Sequence, residues 1–159
     1  MVVEKKVLFI ASAGGHLNEI LQLRPLFNKC DAFIMTEKTG ASGDLIKEMP
    51  GKTAYLLYGT TSHPLSYPFK LLGNCFISLY YYLKFKPDCI VTTGVQSAGP
   101  MCCIGKIFGS RIIYIETFAN IITKSATGSI VYHFADDFVV QWESMKELYP
   151  KAIYGGPIF

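Results

Sequence analysis

His16 ends the segment Ser12-Ala13-Gly14-Gly15-His16, where the residue types best suited to chemistry cluster. An imidazole acts as a hydrogen-bond donor or a proton carrier near neutral pH. Two consecutive glycines let the backbone approach a ligand with no Cβ in the way. The segment follows an apolar run, Val7-Leu8-Phe9-Ile10. It precedes Leu17-Asn18-Glu19-Ile20-Leu21-Gln22-Leu23, whose apolar residues fall at 17, 20, 21 and 23. A strand, a glycine turn and a helix start present free amide N–H groups and the positive end of a helix dipole, which together favour an anion. The same pattern also serves simply to turn a chain, and the residues alone leave both roles open.

A second glycine segment, Gly94-Val95-Gln96-Ser97-Ala98-Gly99-Pro100, follows another apolar run. Two such units in one domain aim two helix N-termini at one crevice, which suits a diphosphate. Glu116 follows the run Arg111-Ile112-Ile113-Tyr114-Ile115. A carboxylate there is either a general base or a structural acceptor. Other signatures fail. Gly51-Lys52-Thr53 is no P-loop, because Ile46 stands where the first glycine belongs. Ser97 is no nucleophile elbow, because Val95 replaces the required glycine. Gly14-Gly15 lacks the register of a dinucleotide fingerprint.

The elements that must carry these residues alternate. Short apolar runs predict strands at 6–11, 31–36, 53–58, 88–93, 111–115, 137–141 and 152–154. Helices are predicted at 15–28, 43–49, 67–85, 97–108, 126–134 and 143–148. This alternation implies an α/β fold, a Rossmann-like parallel sheet with helices on both faces. Ligands of such sheets bind beyond the carboxyl ends of the strands. The post-strand loops at 12–16, 36–39, 59–63, 92–100, 116–120 and 141–143 are therefore the places to read for chemistry.

The chain's 159 residues suit a single domain. Half of the residues are hydrophobic and 17% are charged, a balance that implies apolar surface meeting a partner or a membrane. A net charge of +3 without a basic cluster argues against nucleic acid. Five cysteines without C-x-x-C pairing read as reduced, buried thiols, with Cys102 and Cys103 as small apolar fillers of a helix. Three histidines in no ligand pattern predict no metal site. No signal-peptide h-region precedes the first strand. The stretch 67–86 interleaves Tyr and Phe with Lys on nearly every helical face, the composition of a membrane interface.

Taken in order, Ser12 to His16 with Glu19, Thr93-Gly94 through Ser97-Ala98-Gly99-Pro100, Tyr114 to Ala119, Phe138 to Trp142 and Tyr149 to Gly156 resemble a known family. The chain is similar to the membrane-associated subunit of split, two-subunit glycosyltransferases. One relative is the anchor subunit of the eukaryotic transferase that adds the second GlcNAc to a dolichol diphosphate-linked sugar. Closer in kind are the bacterial capsule and exopolysaccharide biosynthesis subunits. The resemblance covers nearly the whole chain through the order and spacing of its segments.

That resemblance implies the N-terminal half of a GT-B glycosyltransferase, with residues 1–159 as a single acceptor-binding domain. It implies an undecaprenyl diphosphate-linked saccharide as acceptor. It also implies a UDP-sugar as co-substrate, held by a separate nucleotide-sugar-binding chain, with no metal or other cofactor. His16 and Glu116 become the implied catalytic residues. Ser12, Gly14, Gly15, Glu19, Gly94, Ser97, Gly99 and Asn120 become the implied substrate-binding set. The eukaryotic subunits carry an N-terminal membrane span, which this chain is expected to lack. Attachment to the cytoplasmic face of the plasma membrane is therefore expected to be peripheral. Phe69, Leu72, Phe76 and Tyr80 are expected below the headgroups, with Lys70, Lys84 and Lys86 among them. The segment 152–159 is the expected docking segment for the partner chain. Two other readings stand beside this one: a non-catalytic membrane scaffold for a complete transferase, and a nucleotide-binding domain of another class, such as an epimerase fragment.

Overall fold

The apolar runs form strands β1 (Lys6–Ala11), β2 (Asp31–Glu37), β3 (Thr53–Leu56), β4 (Cys89–Thr92), β5 (Arg111–Ile115), β6 (Asp137–Val140) and β7 (Ile153–Tyr154). All pair in parallel in one sheet of order β3-β2-β1-β4-β5-β6-β7. This computed structural model describes residues 4–43, 45–49, 51–59, 65–94 and 97–158. Thr60, Thr61, Ser62 and His63 of the third post-strand loop, Val95 and Gln96 of the second glycine segment, and Phe159 lie outside them.

β1 is central and buries both faces, as its unbroken apolar run requires. Leu8 and Ile10 join Met35, Ile90, Ile112 and Met101 in the core on one side. Phe9 and Ala11 join Ile20, Ile34 and Ile115 on the other. Helices therefore cover both faces. The strand order reverses between β1 and β4, and the loops after these two strands border that reversal.

Where the helices differ from expectation, a residue explains the difference. The span expected at 15–28 divides into α1 (Gly15–Gln22) and α2 (Arg24–Phe27). Leu23 caps α1 with its amide on the carbonyls of Ile20 and Leu21, and Pro25 has no amide to continue the ladder. The helix expected at 43–49 is a 3-10 turn over Gly40–Ser42 followed by the short α3 (Leu45–Glu48). The later helices α5 (Gly99–Ile107), α6 (Ala126–Val131) and α7 (Met145–Leu148) are each shorter than expected at one or both ends.

The helix α4 (Tyr67–Phe85) has the expected bounds, with Pro68 in its first turn. Its inner face carries two polar residues beside aromatics, with Ile77, Tyr81 and Phe85 packed partly against the core. It buries Asn74, Ser78 and Tyr82 and exposes Phe69 at 78%, Leu72 at 56%, Phe76 at 67% and Tyr80 at 60%. Asn74 explains how a polar residue can face the sheet. Its amide donates to the Leu57 carbonyl at 3.0 Å and accepts from the Leu57 N–H at 2.8 Å, acting as a strand partner just beyond β3. Lys84 folds over the rings of Tyr80 and Tyr81 at 6.0 and 5.9 Å. No helix among the described residues is long and apolar enough to cross a membrane.

The cysteines are all free, and burial pushes the Cys102 thiol up to about 12 and that of Cys89 up to about 11. Against expectation, Cys102 alone of the five is fully buried: Cys30, Cys75 and Cys89 are half-buried, and Cys103 is exposed on α5 rather than filling the core.

Replacing Asn74 with Ala leaves both Leu57 backbone groups without their partner. The variant is expected to lose about 2 kcal/mol of stability in urea unfolding. An unchanged midpoint would show that Asn74 does not anchor α4.

Candidate functional site

The glycine turn after β1 opens α1 as expected. Gly14 takes φ +94°, a region that L-residues with a Cβ rarely enter, and no side chain caps the helix. The first ladder bond runs from the Asn18 amide to the Gly14 carbonyl at 3.0 Å. The amides of Gly15, His16 and Leu17 thus precede the intrahelical ladder.

His16 is fixed across the strand-order reversal. Its Nδ1 lies 2.9 Å from the Thr93 carbonyl, and the Thr93 hydroxyl donates to the His16 carbonyl at 2.9 Å. A carbonyl only accepts, so Nδ1 carries the hydrogen, and the neutral ring keeps its lone pair on Nε2. That is the tautomer of a proton acceptor. The next residue, Gly94, takes φ +101°, and a Cβ there would meet the Tyr114 hydroxyl at 2.5 Å. The two glycine segments are therefore held side by side at the carboxyl end of the sheet.

The helix start of the second segment offers fewer free amides than that of the first. α5 opens at Gly99 with Pro100 next, so one early amide is missing. Gly99 and Pro100 instead border an apolar groove of about 600 Å³ between α4, α5 and α6, with Leu71, Ile104, Ile130 and Phe134 among its walls. Ser97 is buried and lies near Glu37, yet neither Ser97 Oγ nor Glu37 Oε1 completes a hydrogen bond.

Glu116 is 1% exposed, and both of its oxygens are occupied. Oε1 accepts from the Thr117 N–H at 3.2 Å and the Asn120 amide at 3.3 Å. Oε2 accepts from the Ser125 hydroxyl at 3.1 Å and the Tyr149 hydroxyl at 3.0 Å. Burial first, and then the Glu116 charge, raise the phenols of Tyr114 and Tyr149 well above their ordinary range. This is the geometry of a structural acceptor that ties the β5 loop to α6 and the chain's last helix. It engages Asn120 directly.

Glu19 reaches the same loop from the other side. Its Oε1 accepts from the Thr117 hydroxyl at 2.7 Å and the Phe118 N–H at 2.9 Å. Ser12 is buried under the first turn, with its hydroxyl 3.4 Å from the Ala13 carbonyl.

Glu37 is the residue that sequence reasoning missed. It ends β2 at 2% exposure, and the loop it opens drew notice only as a post-strand segment. Burial pushes its carboxyl up, opposed by the nearby amides of Gly59 and Ala13 and by the His16 ring. The available signal was an acidic residue closing a buried strand, where a carboxylate is costly unless something recruits it.

Residues 61–158 match the family described as oligosaccharide biosynthesis protein Alg14 like. The chain belongs to the Alg14-like family. It is 27% identical over 179 residues to the mouse UDP-N-acetylglucosamine transferase subunit ALG14, covering 96% of this chain and 82% of that one. It is 27% identical over 177 residues to the human subunit, with the same shares. Among solved structures, MurG of Acinetobacter baumannii superposes with a TM-score of 0.68 at 20% identity, over 85% of this chain and 41% of MurG. The UDP-N-acetylglucosamine 2-epimerase of Rickettsia bellii gives 0.70 at 12% identity, over 92% of this chain and 41% of the epimerase. At such identities the likeness concerns the fold, and this Alg14-like chain spans about two fifths of each solved protein. The fold is that of one half of a GT-B glycosyltransferase, as expected.

A carboxyl raised by burial favours the fold most below the ordinary carboxylate range. That contribution is lost as pH rises through the raised value. Glu37→Gln is neutral at every pH, so it is expected to flatten this part of the stability profile and to melt higher than the parent at pH 8. Parallel melting profiles from pH 4 to pH 8 would contradict the assignment.

Proposed function

We propose that this chain is the acceptor-binding, membrane-docking subunit of a UDP-sugar-dependent glycosyltransferase. With a separate nucleotide-sugar-binding chain, it would move a sugar, GlcNAc by analogy with the named relatives, onto an undecaprenyl diphosphate-linked saccharide. The pathway class is bacterial capsule or exopolysaccharide synthesis, at the cytoplasmic face of the plasma membrane, and residues 1–159 form one acceptor-binding domain. The observation that carries this reading is His16, held by Thr93 with Nε2 open beside an uncapped helix start.

In this reading the diphosphate lies against the amides that open α1, where the helix dipole favours negative charge. Gly14, Gly15 and Gly94 allow the close approach. The groove between α4, α5 and α6 takes the first units of the lipid chain. His16 Nε2 accepts the proton of the acceptor hydroxyl as that oxygen attacks the anomeric carbon of the donor. The bond from that carbon to UDP breaks, and UDP leaves with the electron pair. Glu116 positions the loop after β5 and takes no proton. The exposed face of α4 enters the interface, with Lys84 near the headgroups; a lysine near an anionic leaflet contributes about 1 kcal/mol.

The scaffold reading also has an observation in its favour, since the exposed apolar face of α4 explains recruitment without chemistry. Two experiments separate the readings. His16→Ala, assayed with the partner chain and lipid acceptor, is expected to lower kcat by roughly 10²- to 10⁴-fold without releasing the partner; full activity would leave only the scaffold. The double variant Phe69→Ser, Phe76→Ser is expected to weaken flotation with anionic vesicles by about ten-fold or more at unchanged melting temperature. Unchanged flotation would remove α4 from the membrane contact.

A further inference from the structure

The loop after β5 turns two isoleucines outward. Ile121 is 47% exposed and Ile122 is 75% exposed. The loop that carries them is nonetheless pinned along its length. Glu116 accepts from Thr117 and Asn120, and Glu19 accepts from Thr117 and Phe118. From the loop after β6, the Trp142 indole N–H donates to the Phe118 carbonyl at 2.7 Å, and the Ser144 hydroxyl donates to the Ile121 carbonyl at 2.6 Å. The Phe118 and Trp142 rings pack with centroids 4.7 Å apart. Two branched apolar side chains are thus held in water by a backbone with little freedom left to lose. That is the condition under which a small apolar surface becomes a binding hot spot.

The position of the loop decides what covers it. It leaves the carboxyl end of the sheet, and its Thr117, Phe118 and Ala119 line one cavity with Gly15 and His16. In the transfer proposed above, the acceptor oxygen reacts beside His16. The anomeric carbon of the donor must come within about 3.5 Å of that oxygen. The donor is held by the second chain, so that chain must close over the carboxyl end of this sheet, and the loop after β5 stands at the rim it has to meet. A membrane suits the tip less well. The lysine beside it, Lys124, lies with its ammonium 4.8 Å from the centre of the Tyr149 ring, turned onto the protein rather than toward a headgroup. We infer that Ile121 and Ile122 are a docking point for the nucleotide-sugar-binding chain, seated in an apolar recess of that chain and fixing its place over His16. The inference rests on the two-chain reading above and names a contact separate from the segment 152–159.

The test measures the affinity of the full chain in detergent for the separately purified nucleotide-sugar-binding chain. The double variant Ile121→Ser, Ile122→Ser is expected to weaken that affinity by about ten-fold or more, because two apolar side chains no longer leave water on docking. Its melting temperature and its flotation with anionic vesicles are expected to stay unchanged. Sugar transfer is expected to return to the parent rate at saturating partner, since the two residues touch the partner and not the acceptor. Ile107→Ser is the control. Ile107 is 79% exposed but ends α5 at the opposite, amino end of the sheet, and its replacement is expected to leave partner affinity as it was. Parent-like affinity in the double variant overturns the docking point, as does an equal loss in Ile107→Ser. Weakened flotation at unchanged partner affinity overturns it in favour of a membrane contact. Transfer that stays low at saturating partner overturns it in favour of a role in the reaction. If the parent chain binds no such partner, the two-chain reading fails and the docking point falls with it.

Discussion

The pair of hydrogen bonds between His16 and Thr93 is the constraint on which the rest of the site depends. It joins the loop after β1 to the loop after β4, across the place where the strand order reverses. Parallel sheets leave a crevice there because successive crossovers depart in opposite directions. In this chain the crevice is bridged by a reciprocal contact that also selects the histidine tautomer. Loop position and proton chemistry are thus set together. A side chain at 93 without a hydroxyl would still leave a carbonyl for Nδ1, but the two loops would be tied by one bond instead of two.

Around that contact the buried carboxylates divide the work. Glu116 satisfies four donors and locks the loop after β5 to α6 and Tyr149. Glu19 holds the same loop from α1 through a single oxygen. Glu37 stands under both glycine segments with an unsatisfied oxygen. A fully satisfied carboxylate contributes rigidity, whereas a buried oxygen without a donor is costly. This difference is invisible in residue type.

The sheet was legible in the sequence because β1, β2, β4 and β5 are unbroken apolar runs, which only strands buried on both faces require. The glycine segment before α1 was legible because strand, glycines and helix follow without interruption. Helix ends were less so. The break at Leu23 depends on a cap followed by a proline, and apolar periodicity passes straight through both. The inward face of α4 was hidden because Asn74 acts as a backbone mimic, so its polarity points opposite to its burial. Glu37 was hidden because its surroundings come from the loops after β1, β3 and β4, which lie far away in sequence.

The central claim is that this chain presents the acceptor to a nucleotide-sugar-binding partner and supplies the proton acceptor. The most direct measurement is sugar transfer from labelled UDP-GlcNAc to undecaprenyl diphosphate-linked GlcNAc, with the partner chain alone, this chain alone and both together. The account predicts transfer only when both are present. Equal transfer by the partner alone would contradict it.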